Sequence, residues 1–158
     1  AEVTGCGKGA RVAAITVDLV DGTAVRVVNV HGSSGIAVDD QACRVREFTA
    51  VFEGLDGQAP LVSSELPNVV MGDLNVDPAR LAEEQSGAAW NALTTGWTYL
   101  TEVGEDTPAT YADAVSIDHV VSDAFSGSCV HPGVTPGTDD VFPTPYFDHH
   151  PALCDVVR

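Results

Sequence analysis

Two valine-rich runs flank Asp21-Gly22, and this pairing restricts the chain more than any other feature of its sequence. Along residues 11–19, Val12, Ala14 and Thr16 alternate with Ala13, Ile15 and Val17, the period of two that marks a strand. Asp-Gly supplies the left-handed backbone of a tight hairpin turn. Residues 24–31 form the return strand, with Val25, Val27, Val28 and Val30 making it apolar enough for burial on both faces. A chain that opens on such a hairpin is committed to a sheet, and the segments after it decide which kind.

A loop at 32–38 comes next. Asp39 or Asp40 then stands where it can cap a helix running to about Leu55, with Val45, Phe48, Phe52 and Leu55 on one stripe. Its polar face carries Arg44, Arg46 and Glu47, and Asp56-Gly57 ends it. Residues 68–71 read as a short strand stopping at Gly72, and Pro78 suits the first turn of a second helix through about Leu93. Residues 110–111, 117–121, 128–130 and 152–157 read as further strands. Residues 131–147, with prolines at 132, 136, 143 and 145, form a long loop. No internal repeat interrupts this order, which predicts a single α/β or α+β domain with a mixed sheet over residues 1–158.

Charge narrows the function. With 23 acidic residues against 7 basic ones the formal charge is −16, and Lys8 is the sole lysine. Such a field repels phosphate backbones and anionic membranes, so nonspecific nucleic-acid binding is disfavoured. It attracts a divalent cation. No apolar run reaches the roughly 18 residues that span a bilayer. The chain starts without Met, as a processed product or a fragment does. Cysteines 6, 43, 129 and 154 form no C-x-x-C pair. Their even number and wide spacing suit two disulfides and an extracellular or periplasmic location, the alternative being four buried thiols. Cys129 and Cys154 lie on or near strands that can neighbour one another, which leaves Cys6 and Cys43 for each other.

The chemistry-bearing residues sit at strand ends. V-N-V-H at 28–31, M-G-D-L-N at 71–75, S-I-D-H at 116–119 and F-D-H-H-P at 147–151 each place His, Asp or Asn at or inside an apolar run. In open α/β sheets, side chains from several strand ends converge on one crevice. Asp73 and Asn75, two apart, share a face in extended chain and suit a hard cation with a phosphoryl oxygen. An Asp hydrogen-bonded to a His ring fixes its tautomer and stabilises the imidazolium. Each segment alone is equally an ordinary strand-end turn, and His119, His131 and His150 are read as ordinary core or loop residues.

Taken in order, V-V-N-V-H at 27–31, N-V-V-M-G-D-L-N at 68–75, T-Y at 110–111 with S-I-D-H-V at 116–120, and F-D-H-H-P-A at 147–152 resemble the motifs of the endonuclease/exonuclease/phosphatase superfamily. These are metal-dependent phosphoesterases with the deoxyribonuclease I fold. Phe147 stands where that family has Ser. The resemblance implies half of a four-layer α/β sandwich, the N-terminal half with its metal-binding Glu having no counterpart here. It implies that Asp73 orients or activates the attacking water, that Asn75 steadies the phosphoryl group, and that His31 and His149 contact the phosphate. Asp118 orients His149, and Asp148 joins Asp73 and Asn75 at a Mg²⁺ or Mn²⁺ site. His31 lacks a carboxylate partner, since the family supplies it from the first half. The implied substrate is a phosphodiester or phosphomonoester, with a small-molecule or lipid headgroup favoured by the charge and nucleic acid disfavoured but allowed. Without the Glu, the 158 residues alone are expected to turn over little or nothing. The alternative is a non-catalytic binding or structural module that keeps the fold. A serine hydrolase is set aside, because no G-x-S-x-G elbow is present.

Overall fold

The computed structural model describes residues 3–7, 11–139 and 148–158. Lys8, Phe147 and the part of the proline-rich loop at 140–147 lie outside these. The hairpin is formed by β1 (Val12–Asp18) and β2 (Ala24–His31), paired antiparallel, with Gly22 at φ +84° in the turn. Helix α1 (Val38–Phe52) then crosses back so that β3 (Asn68–Asp73) lies parallel to β2. Helix α2 (Gln85–Leu93) precedes a short β4 (Thr98–Tyr99), and β5 (Asp118–Ser122) runs antiparallel between β3 and β4. The sheet order is β1-β2-β3-β5-β4, a mixed sheet of five strands. Strands β6 (Ser126–Val130) and β7 (Leu153–Val157) form a separate antiparallel pair.

Register assigns the two faces. Ala14, Val28, Val70 and Val121 lie abreast across four strands. They bury against Phe48 and Val51 of α1 and Trp90 of α2. The Trp90 ring meets Phe48 and Phe52 edge-on, 5.0 and 5.6 Å between centroids. On the other face, Val120 and Val69 meet Leu100, Cys129, Ala152 and Cys154, so β6 and β7 cover only the β5 side. Towards β1 this face is open, and Ile15 is 59% exposed. Both disulfides join the expected partners, Cys6 to Cys43 and Cys129 to Cys154.

Several local expectations are corrected. Ala37 is the N-cap of α1, and Asp40 in the first turn accepts a hydrogen bond from the Ala37 N–H at 3.1 Å. The helix ends at Gly54, whose φ of +86° and N–H bond to Thr49 O close it two residues before Asp56. Two residues of its supposed polar face, Arg44 and Glu47, are buried. Residues 78–83 form turns, and α2 starts only at Gln85. The reason is Asp77, whose carboxylate accepts from the N–H groups of Ala79 and Arg80 and holds one isolated turn there. Thr110-Tyr111 is no strand: Tyr111 makes single bridges to Val115 and to His149. Strand β3 continues through Gly72 to Asp73; at Gly72, φ is +134° and a Cβ would sit 2.0 Å from Val30 O.

Candidate active site

Register builds the site first. His31, Asp73 and Asp118 are consecutive partners across β2, β3 and β5. They therefore project side by side from the open face, where β2 and β3 end and β5 begins. Backbone bonds fasten the loops beyond them: Gly32 N–H to Asp73 O at 2.8 Å and Leu74 N–H to Ile117 O at 2.8 Å. Asn75 takes φ +51°, a conformation Asn tolerates better than most residues. Its side-chain amide donates to Gly32 O and to Asp73 Oδ2, both at 3.0 Å, and its backbone N–H donates to Asp73 Oδ1 at 2.8 Å. The sheet thus holds one carboxylate with an amide folded over it.

His149 arrives from 31 positions beyond Asp118, its Nδ1 2.9 Å from Asp118 Oδ2. Its Nε2 lies 3.8 Å from Asp73 Oδ2, and the Nε2 of His31 lies 3.7 Å from the same oxygen. His31 thus has a carboxylate neighbour that the sequence did not assign to it. The separation exceeds a hydrogen bond and the His31 side chain is 61% exposed, so it is not clamped as His149 is. Asp148 is exposed and forms no triangle of close ligand atoms with any two of the others. His119 points to the helix side, buried, donating from Nε2 to Ser116 O at 2.8 Å and accepting at Nδ1 from the Thr101 hydroxyl at 3.1 Å.

Charges in the site are coupled. Burial raises the Asp73 pKa, the Asn75 N–H opposes this, and the Asp118 charge raises it further. Burial alone would lower that of His149, but the hydrogen bond and charge of Asp118, with Asp73 and Asp148, carry it above the ordinary value. Oxygens of Asp73 and Asp118 and a ring nitrogen of His149 lie within 4.8 Å of one another, close enough to share a cation. The second close group, Cys6, Cys43 and Glu47, offers no thiolate, because its sulfurs are bonded to each other.

Three further residues support the site without having been assigned a role in it from the sequence. Thr110 is fully buried and its hydroxyl lies 2.7 Å from Asp118 Oδ2. The Tyr111 ring packs on the His149 ring at 4.7 Å. Asp77, with its side chain 2% exposed, bonds to the Ser116 N–H and to Arg80, tying the Asn75 loop to the start of β5. Thr110 and Tyr111 were legible only as a motif, and Asp77 resembled any loop aspartate. The hollow lined by Thr16, Arg26, Leu61 and Ser63 contains none of these residues.

No family model matches the chain, and no curated protein matches it. Solved structures do. An endonuclease/exonuclease/phosphatase from Beutenbergia cavernae superposes with a TM-score of 0.62 at 20% identity, over 95% of this chain and 40% of that one. The human Nocturnin catalytic domain with bound sulfate anion gives 0.58 at 13% identity, over 92% and 52%. Sphingomyelinase C from Streptomyces griseocarneus gives 0.55 at 19% identity, over 89% and 56%. The α/β fold is the deoxyribonuclease I-like fold of these proteins, and the chain spans about half the length of each.

Proposed function

We propose that this chain carries the strand-end half of the active site of a divalent-metal-dependent phosphoesterase of the endonuclease/exonuclease/phosphatase family. The observation that carries the reading is convergence: His31, Asp73, Asn75, Asp118 and His149, scattered through the sequence, meet at one end of one sheet. Phosphoryl transfer asks chiefly for positioning and charge neutralisation. In this reading Asp73 orients the attacking water, Asn75 keeps the carboxylate in place and steadies a phosphoryl oxygen, and both imidazoles contact the phosphate. Asp118 holds the His149 ring.

The donor set fits a hard cation, since two partly buried carboxylates, Asp73 and Asp118, offer oxygens beside a single ring nitrogen. Asp73 and Asn75 would hold Mg²⁺ or Mn²⁺ with Asp148 assisting from the rim, and Asp118 and His149 stand close enough to contribute. Such an ion supplies neutralisation of charge developing on the phosphoryl oxygens. The open sheet face around Ile15, together with the half-length overlap, supports further polypeptide completing the domain. By the family resemblance that portion carries the Glu.

A small-molecule or lipid-headgroup ester is the preferred substrate class. The formal charge of −16 favours this over a nucleic-acid backbone, and the likeness to a sphingomyelinase C agrees with it. The two disulfides support an extracellular or periplasmic location.

The test uses the complete protein with Mg²⁺ or Mn²⁺ and synthetic phosphodiester and phosphomonoester substrates. Turnover that needs the ion and falls roughly 10²–10⁴-fold in Asp118→Asn supports the reading. Unchanged turnover in folded Asp118→Asn overturns the roles. Absence of both ion binding and hydrolysis would favour the non-catalytic module.

A further inference from the structure

Thr110 has one hydroxyl hydrogen and two lone pairs. The N–H of Ile117 donates to its Oγ1 at 3.0 Å and the N–H of Asp118 at 3.2 Å. A backbone amide has only a hydrogen to offer, so both lone pairs are taken. Among the described residues the hydroxyl proton then has one destination within reach, Asp118 Oδ2 at 2.7 Å. That oxygen also receives His149 Nδ1 at 2.9 Å. Thr110 thus engages Asp118 Oδ2 as an acceptor, and a carboxylate oxygen has no hydrogen to offer, so the His149 nitrogen facing it is the N–H. A neutral imidazole has a single N–H, so the bare lone pair is left at Nε2, the nitrogen turned towards Asp73.

We propose that Thr110 is a positioning residue that selects the His149 tautomer by holding the Asp118 carboxylate in the orientation that accepts from Nδ1. The backbone of Thr110 serves the same end. Its N–H bonds to Val115 O at 3.0 Å, and its carbonyl accepts from the His150 N–H at 2.9 Å. One fully buried residue therefore ties the start of β5 to the segment bearing His149. The competing account makes Thr110 a turn cap for the Ile117 and Asp118 amides and nothing more. The two differ in what the hydroxyl hydrogen does. The proposal rests on this geometry and stands apart from whether the substrate is a phosphate ester.

The experiment is ¹⁵N-imidazole NMR of the 158-residue chain. Wild type and Thr110→Ser, which keeps the hydroxyl, should show neutral His149 as the Nδ1–H tautomer alone. Thr110→Val keeps the shape without the hydrogen and should lose that single tautomer for a mixture. A folded Thr110→Val with the wild-type tautomer overturns the proposal. If that variant does not fold, neutron diffraction of the wild-type chain decides: deuterium on Thr110 Oγ1 directed at Asp118 Oδ2 upholds the proposal, and any other direction refutes it. In the complete enzyme Thr110→Val should lower kcat with KM little changed and Thr110→Ser should restore it. A loss of tautomer in a protein without phosphoesterase activity would refute the functional reading alone.

Discussion

Asp77 shows how much a single buried carboxylate organises. Burial would raise its pKa, but the N–H groups of Ser116, Arg80 and Ala79 and the Arg80 guanidinium lower it overall. Arg80 passes the restraint on by donating to Thr107 O at 2.6 Å. Asp77→Ala strands several buried donors at once and should cost at least about 2 kcal/mol, read as a shift in urea midpoint at constant slope. The pH dependence follows from the signs. Asp77 has a lowered folded pKa, so its stabilisation is present above the ordinary carboxylate range and is lost as pH falls through the folded value. Asp73, Glu47 and His149 have raised values, so theirs is present at low pH and is lost as pH rises through each. Burial also lowers the values of His119 and His131, so their contribution too is lost on acidification. Stability should therefore decline at acid pH and again as pH rises through the raised values, and Asp77→Asn should remove only part of the acid limb. A flat profile from pH 3 to 9 would contradict these assignments. His31, Asp73, Asn75, Asp118 and His149 could be singled out because four short polar segments follow one another in the order of the family's motifs, although each alone reads as an ordinary turn. Asp77 could not, since its importance lies in a partner 39 positions away, and Thr110 showed only as part of a motif, its contacts reaching as far as His150.

Helix α1 illustrates where periodicity misleads at the scale of an element. Charge pattern alone puts Arg44, Arg46 and Glu47 on a solvated face. Arg46 does lie at the surface, pairing with Asp56 at 3.1 Å and bonding to Thr4 O. Arg44 instead turns inward and donates to the carbonyls of Ser33 and Gly35 and to the Ser86 hydroxyl, while Glu47 accepts the Ser33 N–H at 2.9 Å. The two buried charges hold the loop that follows His31, whose Gly32 carbonyl in turn holds Asn75. The apolar stripe through Phe48 was legible, because burying rings against a sheet needs only helical spacing. The inward charges were not, because their acceptors come from a loop and from α2. Arg44→Met should lose roughly 2 kcal/mol or more, as it leaves the Ser33 and Gly35 carbonyls and the buried Ser86 hydroxyl without their donor. Arg46→Met should change stability by no more than about 1 kcal/mol, the range of surface pairs. Equal effects in thermal denaturation would show that α1 does not brace the site.

The whole molecule rests on two unequal bodies, a five-stranded sheet backed by helices and the lone β6–β7 pair. Much of β7 is exposed: Leu153 is 55% and Val157 62% accessible. The small sheet has few buried contacts of its own to hold it, and Cys129 and Cys154 cross-link it as direct partners. The bridge spans a sequence separation of 25, and His149 lies inside the loop it closes. The other bridge spans 37 and fastens residues 3–7 to α1. Chain entropy gives the two nearly the same worth, about 3 to 4 kcal/mol each. Their effects on the site should differ. His31, though inside the longer loop, is paired into β2, which is held between β1 and β3 whether or not that bridge is closed. His149 lies in no strand, and among the described residues it is held by a bridge to Tyr111, the Asp118 hydrogen bond and the Tyr111 ring. Replacing Cys6 and Cys43 together by Ser should lower the melting temperature while leaving the His149 Nδ1–H signal in place. Replacing Cys129 and Cys154 should lower it by a similar amount and also broaden or abolish that signal, because the segment before β7 is no longer tethered to β6. If both double variants keep the signal, the Tyr111 and Thr110 contacts suffice to seat His149, and the second disulfide serves stability alone.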